Sequence, residues 1–161
     1  MFFIDANEGK TAAQKKNIKK ILLIYGEQDA GKTTVCKRVF SALKGLGATL
    51  NYYELFPWGD DFKAIFTVNG IKIGISSAGD SKQLIADARQ FGQENGCDIL
   101  VGAVRYHTHY NEVFTDLTCN KDFFWLEFSK GEVTDEEKDK RGFIMALEVL
   151  SKIKENLNFC Y

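Results

Sequence analysis

Five consecutive apolar residues, Ile21-Leu22-Leu23-Ile24-Tyr25, run straight into Gly26-Glu27-Gln28-Asp29-Ala30-Gly31-Lys32-Thr33, and no other stretch narrows the fold as much. An unbroken apolar run suits a strand buried on both faces, as in the middle of a parallel sheet. A parallel neighbour needs a crossover, and the residues after the loop supply one: Val35, Cys36, Val39, Phe40 and Leu43 fall on one helical stripe. The glycines between strand and helix let the backbone curl until several N–H groups converge on one anion. The free amides and positive dipole end of the helix beginning at Lys32–Thr33 face the same point.

The rest of the chain extends this pattern. Gly45 and Gly47 end the first helix, and Thr49–Leu55 reads as a second strand closed by Pro57, the sole proline. Asp61–Val68 and Ile71–Ser76 flank Asn69-Gly70, a dipeptide preferred where a type I′ turn needs positive φ twice, so they read as a hairpin. Leu84, Ile85, Ala88 and Phe91 mark a helix stopping near Gly96, followed by a buried strand over Asp98–Val104. A short helix around Tyr110–Leu117 and a strand over Phe123–Phe128 come next. Thr134-Asp135-Glu136-Glu137 forms a capping box that opens a last helix, with Phe143, Leu147, Leu150, Ile153 and Leu157 on its inner face. Residues 1–17 lack a period and read as a peripheral leader, with Lys15, Lys16, Lys19 and Lys20 as a solvated approach to the first strand. The 161 residues fit one domain, 1–161, whose strands alternate with helices covering both sheet faces.

Gly26-x-x-x-x-Gly31-Lys32-Thr33 matches the phosphate-loop pattern in full, and in this context the sequence resembles the P-loop NTPase superfamily over residues 20–45. The resemblance implies a three-layer P-loop NTPase-like α/β sandwich with a mixed, mostly parallel sheet containing one antiparallel hairpin. It also implies a nucleoside triphosphate, ATP, bound with Mg²⁺ at the strands' C-terminal ends. Gly26, Gln28, Asp29, Ala30, Gly31, Lys32, Thr33 and Thr34 would cradle the nucleotide. Lys32 would reach the β- and γ-phosphates, and Thr33 would offer its hydroxyl to the metal. After the hairpin, Ser76-Ser77-Ala78-Gly79 is similar to the Asp-x-x-Gly segment of small GTPases, where Gly79 would approach the γ-phosphate. Ser76, however, stands where that pattern has an aspartate. The guanine-reading Asn-Lys-x-Asp is missing too, since Asn120-Lys121-Asp122 is one residue short and precedes its strand.

Asp80 is therefore the candidate second carboxylate, on Mg²⁺ or on an attacking nucleophile; its other reading is a helix N-cap with Gln83. Arg105 closes a strand on the nucleotide side, where it would stabilise transition-state charge or remain a surface residue. Asp60 and Asp61, in the loop entering the hairpin, could reach the metal, but such a pair is more often simply solvated loop. Glu27 and Asp29 point away from phosphate, because like charges repel. His107 and His109 lack a third metal ligand, and Trp58 and Trp125 read as core or edge packing in preference to base-stacking platforms.

Cys36 and Cys97 fall in apolar surroundings and read as buried thiols, which with the absence of a Cys-x-x-Cys pair argues for a reducing, cytoplasmic setting. With 21 basic and 22 acidic residues the formal net charge is −1, which does not indicate charge-driven nucleic-acid binding. No run is apolar for long enough to span a membrane, and a protein partner is left open. The expected function is Mg-ATP binding with hydrolysis or phosphoryl transfer. The alternatives are a nucleotide-dependent switch with little turnover and a subunit of a nucleic-acid-associated assembly.

Overall fold

A computed structural model describes residues 18–26, 30–105, 120–126 and 134–158. In chain order the elements are β1 (Lys20–Gly26), α1 (Lys32–Gly45), β2 (Thr49–Leu55), β3 (Phe62–Val68), β4 (Ile71–Ser76), α2 (Lys82–Glu94), β5 (Ile99–Arg105), β6 (Asn120–Leu126) and α3 (Asp135–Asn158). The short helix expected around Tyr110–Leu117 lies outside the described residues, as do His107, His109 and the leader.

The strands form one six-stranded mixed sheet in the order β2-β3-β4-β5-β1-β6. Both neighbours of β1, namely β5 and β6, run parallel to it, and β4 runs parallel to β5. The remaining two pairs, β2 with β3 and β3 with β4, are antiparallel. A mostly parallel sheet interrupted by a single hairpin is thus corrected. The hairpin turns at Asn69 (φ 51°) and Gly70 (φ 79°) as its sequence requires, but β2 joins its outer edge. Half of the sheet is therefore an antiparallel meander, and the parallel half begins at β4.

The buried apolar residues fall into two clusters, one on each sheet face. Leu22 and Ile24 of β1 meet α1 and α3 through Val35, Val39, Ala146 and Val149. Ile21, Leu23 and Tyr25 point the other way, with Leu100, Val104 and Ile85 of α2. Two-sided burial is why β1 reads as an unbroken apolar run. Helices thus cover both faces of the sheet.

The last helix is turned from its expected setting. Thr134 caps it, accepting the Glu137 N–H at 3.1 Å, but Phe143 and Leu147 are about half exposed, while Met145, Ala146, Val149 and Ile153 are buried. Gly142 faces α1, where a Cβ would make ordinary van der Waals contact with Val35 at 3.6 Å. The buried face is carried by Met145, Ala146, Val149 and Ile153, and Phe143 lies at its flank, under the Arg38 guanidinium at 5.5 Å.

Candidate functional site

Strand direction brings the C-terminal ends of β1, β2, β4 and β5 to one edge of the sheet. In the β1–β5 register Gly26 stands opposite Arg105, and in the β4–β5 register Ser76 stands opposite Gly102. Arg105, the expected cationic partner, is therefore brought directly beside the first glycine of the loop, half-buried.

The start of α1 is shaped by Gly31, which takes φ 98° as the N-cap residue, a conformation costly for any residue with a Cβ. No side chain caps the helix and its first turn contains no acidic residue, so its positive end is left to main-chain amides. Lys32 is buried (7% exposed) and folds back, its Nζ donating to the Gly26 carbonyl at 3.0 Å. Lysine, glycine and helix start thus form one closed unit. Thr34 is exposed and lines a groove of about 340 Å³ between α1 and α3, with Arg38 and Phe143. Gln28 and Asp29 lie outside the described residues.

Asp61, read from the sequence as solvated loop, is the hub of the site. Its Oδ1 accepts the Thr33 hydroxyl at 3.0 Å and the Ser77 hydroxyl at 2.9 Å, while Oδ2 accepts the Trp58 indole N–H at 3.1 Å. Ser77 is itself fixed: its Oγ accepts the Phe62 amide at 2.9 Å, and its amide donates to the Phe62 carbonyl at 3.0 Å. With its oxygen engaged by that N–H, the Ser77 hydroxyl proton is directed at Asp61. Three donors thus converge on one carboxylate. A signal for this was available in the sequence. Pairing back from the Asn69-Gly70 turn sets Phe62 against Ser77 and leaves Asp61 one residue beyond, at the mouth of the hairpin.

Two other sequence assignments shift. Asp80 is exposed at the same edge, but the N-cap of α2 is Ser81, whose side chain accepts the Leu84 amide at 3.1 Å. Gly79 serves β5: its carbonyl accepts the Arg105 amide at 2.9 Å, and a Cβ there would lie 1.6 Å from the Ala103 carbonyl oxygen. Close backbone approach to β5 by itself requires a glycine here.

Cys36, one turn into α1, is fully buried, and its thiol is pushed up to about 12. Burial is the main cause; the negative charge of Asp61 adds to it and the positive charge of Lys32 opposes it. One thiol thus feels both charged groups of the site through the first turn of α1. Cys97 is buried as well. Asn120–Asp122 belongs to the opposite edge, where Asp122 pairs with Lys20 at 2.8 Å at the start of β1.

Among the described residues no three His, Cys, Asp or Glu side chains gather around one point, and no helix is long and apolar enough to cross a membrane. No protein-family model, no curated protein and no solved structure matches this chain.

Proposed function

We propose that this chain is a P-loop nucleotide-binding protein, a three-layer NTPase-like sandwich that holds Mg-ATP at Gly26–Thr34 and cleaves its β–γ phosphate bond by hydrolysis or transfer. The observation that carries this reading is the hydrogen bond from Thr33, in the first turn of the loop's helix, to Asp61. Because the Thr33 hydroxyl proton is committed to Asp61, its oxygen lone pairs are free for a hard cation. Hydroxyl and carboxylate oxygens are the donors Mg²⁺ prefers, and it commonly takes only one or two protein ligands alongside substrate phosphates and water. Bound there, the metal would neutralise charge developing on the β- and γ-phosphate oxygens.

Lys32 exchanges a neutral carbonyl partner for a polyphosphate at little cost, since a charged acceptor makes the stronger hydrogen bond. Arg105, beside Gly26, adds a second cation for the terminal phosphate. Asp80 remains at the same edge as a further carboxylate for the metal's waters. A switch with little turnover is the weaker reading, because it rested on the serine at the end of β4. Asp61, immediately before β3, supplies the carboxylate that Ser76 does not, and Ser77 orients it. ATP is preferred over GTP because Asn120–Asp122, the nearest approach to a guanine-reading motif, is used at the other edge of the sheet.

Calorimetric titration with Mg-ATP, followed by phosphate-release or transfer assays, tests the proposal. Wild-type protein binds and turns over ATP, and Lys32→Ala loses both. Wild-type protein that binds no ATP at millimolar Mg²⁺ refutes it.

A further inference from the structure

Trp58 does not behave as packing. It is 57% exposed, yet its indole N–H is held by Asp61 and its ring lies on Phe56, with centroids 4.8 Å apart and planes 26° from parallel. The turn that carries it is closed by the Phe56 amide donating to the Asp61 carbonyl at 2.9 Å, and Lys37 of α1 pairs with Asp60 at 3.6 Å. A tryptophan used for packing hides both faces. This one has its polar edge satisfied, one face covered and the rest turned to solvent, so a rigid flat surface is presented. Lys63 brings a cation over the Phe56 ring at 5.7 Å, shared with Glu54 at 3.4 Å.

The position of that surface matters more than its exposure. Trp58 and Thr33 sit on the two oxygens of one carboxylate, so the indole is fixed relative to the start of α1. The stack follows β2 at the same edge as the start of α1, so an acceptor of the terminal phosphate of a nucleotide held there would come within its reach. Indole faces hold planar bases with little regard to their identity.

We propose that the Phe56–Trp58 stack is the platform for a phosphoryl acceptor that carries a nucleobase, a nucleoside or nucleoside monophosphate. The inference rests on the reading of Thr33 and Asp61 as part of the Mg-ATP site. In the transfer, the acceptor oxygen is a hydroxyl whose proton passes to solvent or a phosphate oxygen already ionised. It bonds to the γ-phosphorus as the β–γ bridge breaks, and that electron pair leaves with ADP.

The test uses the full chain with Mg²⁺ and a nonhydrolysable ATP analogue, whose own binding is measured first. Adenosine, cytidine, AMP, CMP and the base-free ribose 5-phosphate are then titrated calorimetrically. At least one base-bearing compound is expected to bind at least about tenfold more tightly than ribose 5-phosphate. Trp58→Phe and Trp58→Leu both lose the indole N–H, so any disturbance passing through Asp61 is common to them. The Phe variant should retain affinity within about threefold, and the Leu variant should fall at least about tenfold below it. Equal affinity in the two variants, or no preference for a base in the wild type, overturns the inference while leaving Mg-ATP binding intact. Failure of the ATP analogue to bind overturns both.

Discussion

Replacing Gly79 by alanine separates two roles for the segment after β4. A Cβ at this position would stand 1.6 Å from the Ala103 carbonyl oxygen, 2.6 Å from its carbon and 3.2 Å from the Val104 Cα. All three are backbone atoms of β5, a central strand, so no side-chain rotation relieves the clash. The loop must back away, which strains its surroundings by about 1–3 kcal/mol and forfeits the 2.9 Å bond from the Arg105 amide, about 1 kcal/mol more. A total of roughly 2–4 kcal/mol corresponds to a fall in Tm of about 5–15 °C in a domain of this size. With a urea m-value near 2 kcal/mol/M, the unfolding midpoint falls by about 1–2 M. Gly45→Ala is the control, because a Cβ at the end of α1 meets nothing within 4 Å and alanine is the better helix former by up to about 1 kcal/mol; its midpoint should hold or rise. Urea unfolding followed by circular dichroism reads both variants. A Gly79→Ala midpoint within about 0.5 kcal/mol of wild type, with turnover lost, would show that Gly79 works at the phosphate and that the clamp on β5 is misjudged.

Asp61→Asn keeps shape but cannot accept hydrogen bonds on both of its ends, so either Trp58 or the two hydroxyls lose their partner. The Mg²⁺ concentration for half-maximal ATP binding should rise about tenfold or more, roughly 1.4 kcal/mol, and more than for Asp80→Asn; an unchanged Mg²⁺ dependence refutes the role of Asp61. The Cys36 thiol is raised from 9.0 to about 12 in the folded chain, so its contribution to stability is complete below pH 9 and is lost as pH rises towards 12. Melting temperatures between pH 8 and pH 11 should fall less steeply in Cys36→Val, with a residual slope from Tyr25, which burial also pushes up to about 12. The same burial predicts that mass mapping finds Cys36 alkylated only after unfolding; labelling in the folded protein would contradict it.

How much of this was legible beforehand depended on the range of the forces involved. The β1–loop–α1 unit, the Asn69-Gly70 turn and the Thr134 cap are written in contiguous residues, and their conformations follow from local chemistry. The set of α3 was not, because the seam against Val35 is selected by a partner helix about a hundred residues earlier in the chain. Periodicity nominated the largest apolar side chains, Phe143 and Leu147, whereas the face turned to the core carries Met145, Ala146 and Val149. Asp61 was ranked below Asp80 for a related reason. An aspartate in a loop has a solvated reading that no neighbour in sequence contradicts, and its three donors arrive from α1, the end of β4 and its own turn. Looking instead for a carboxylate at the end of β4 led to Asp80. Of the two serines found there, Ser77 proved to be the one that holds the carboxylate just before the adjacent strand.

The place of β2 in the sheet has a mechanical consequence. It forms one outer edge, exposed along its whole length and hydrogen-bonded to β3 on one side, so it is cheaper to detach than the interior strands. The turn bearing Trp58 and Asp61 hangs directly from its last residue. That turn is moored to α1 at Thr33 and Lys37, across the sheet from its own strand's neighbours. Tightening the mooring at Thr33 therefore pulls on an exposed margin of the sheet, and fraying of that margin would slacken the site before the core yields. The outermost strand and the phosphate loop, separated by three strands in the sheet, share one tether, so the rigidity of either is set partly at the other.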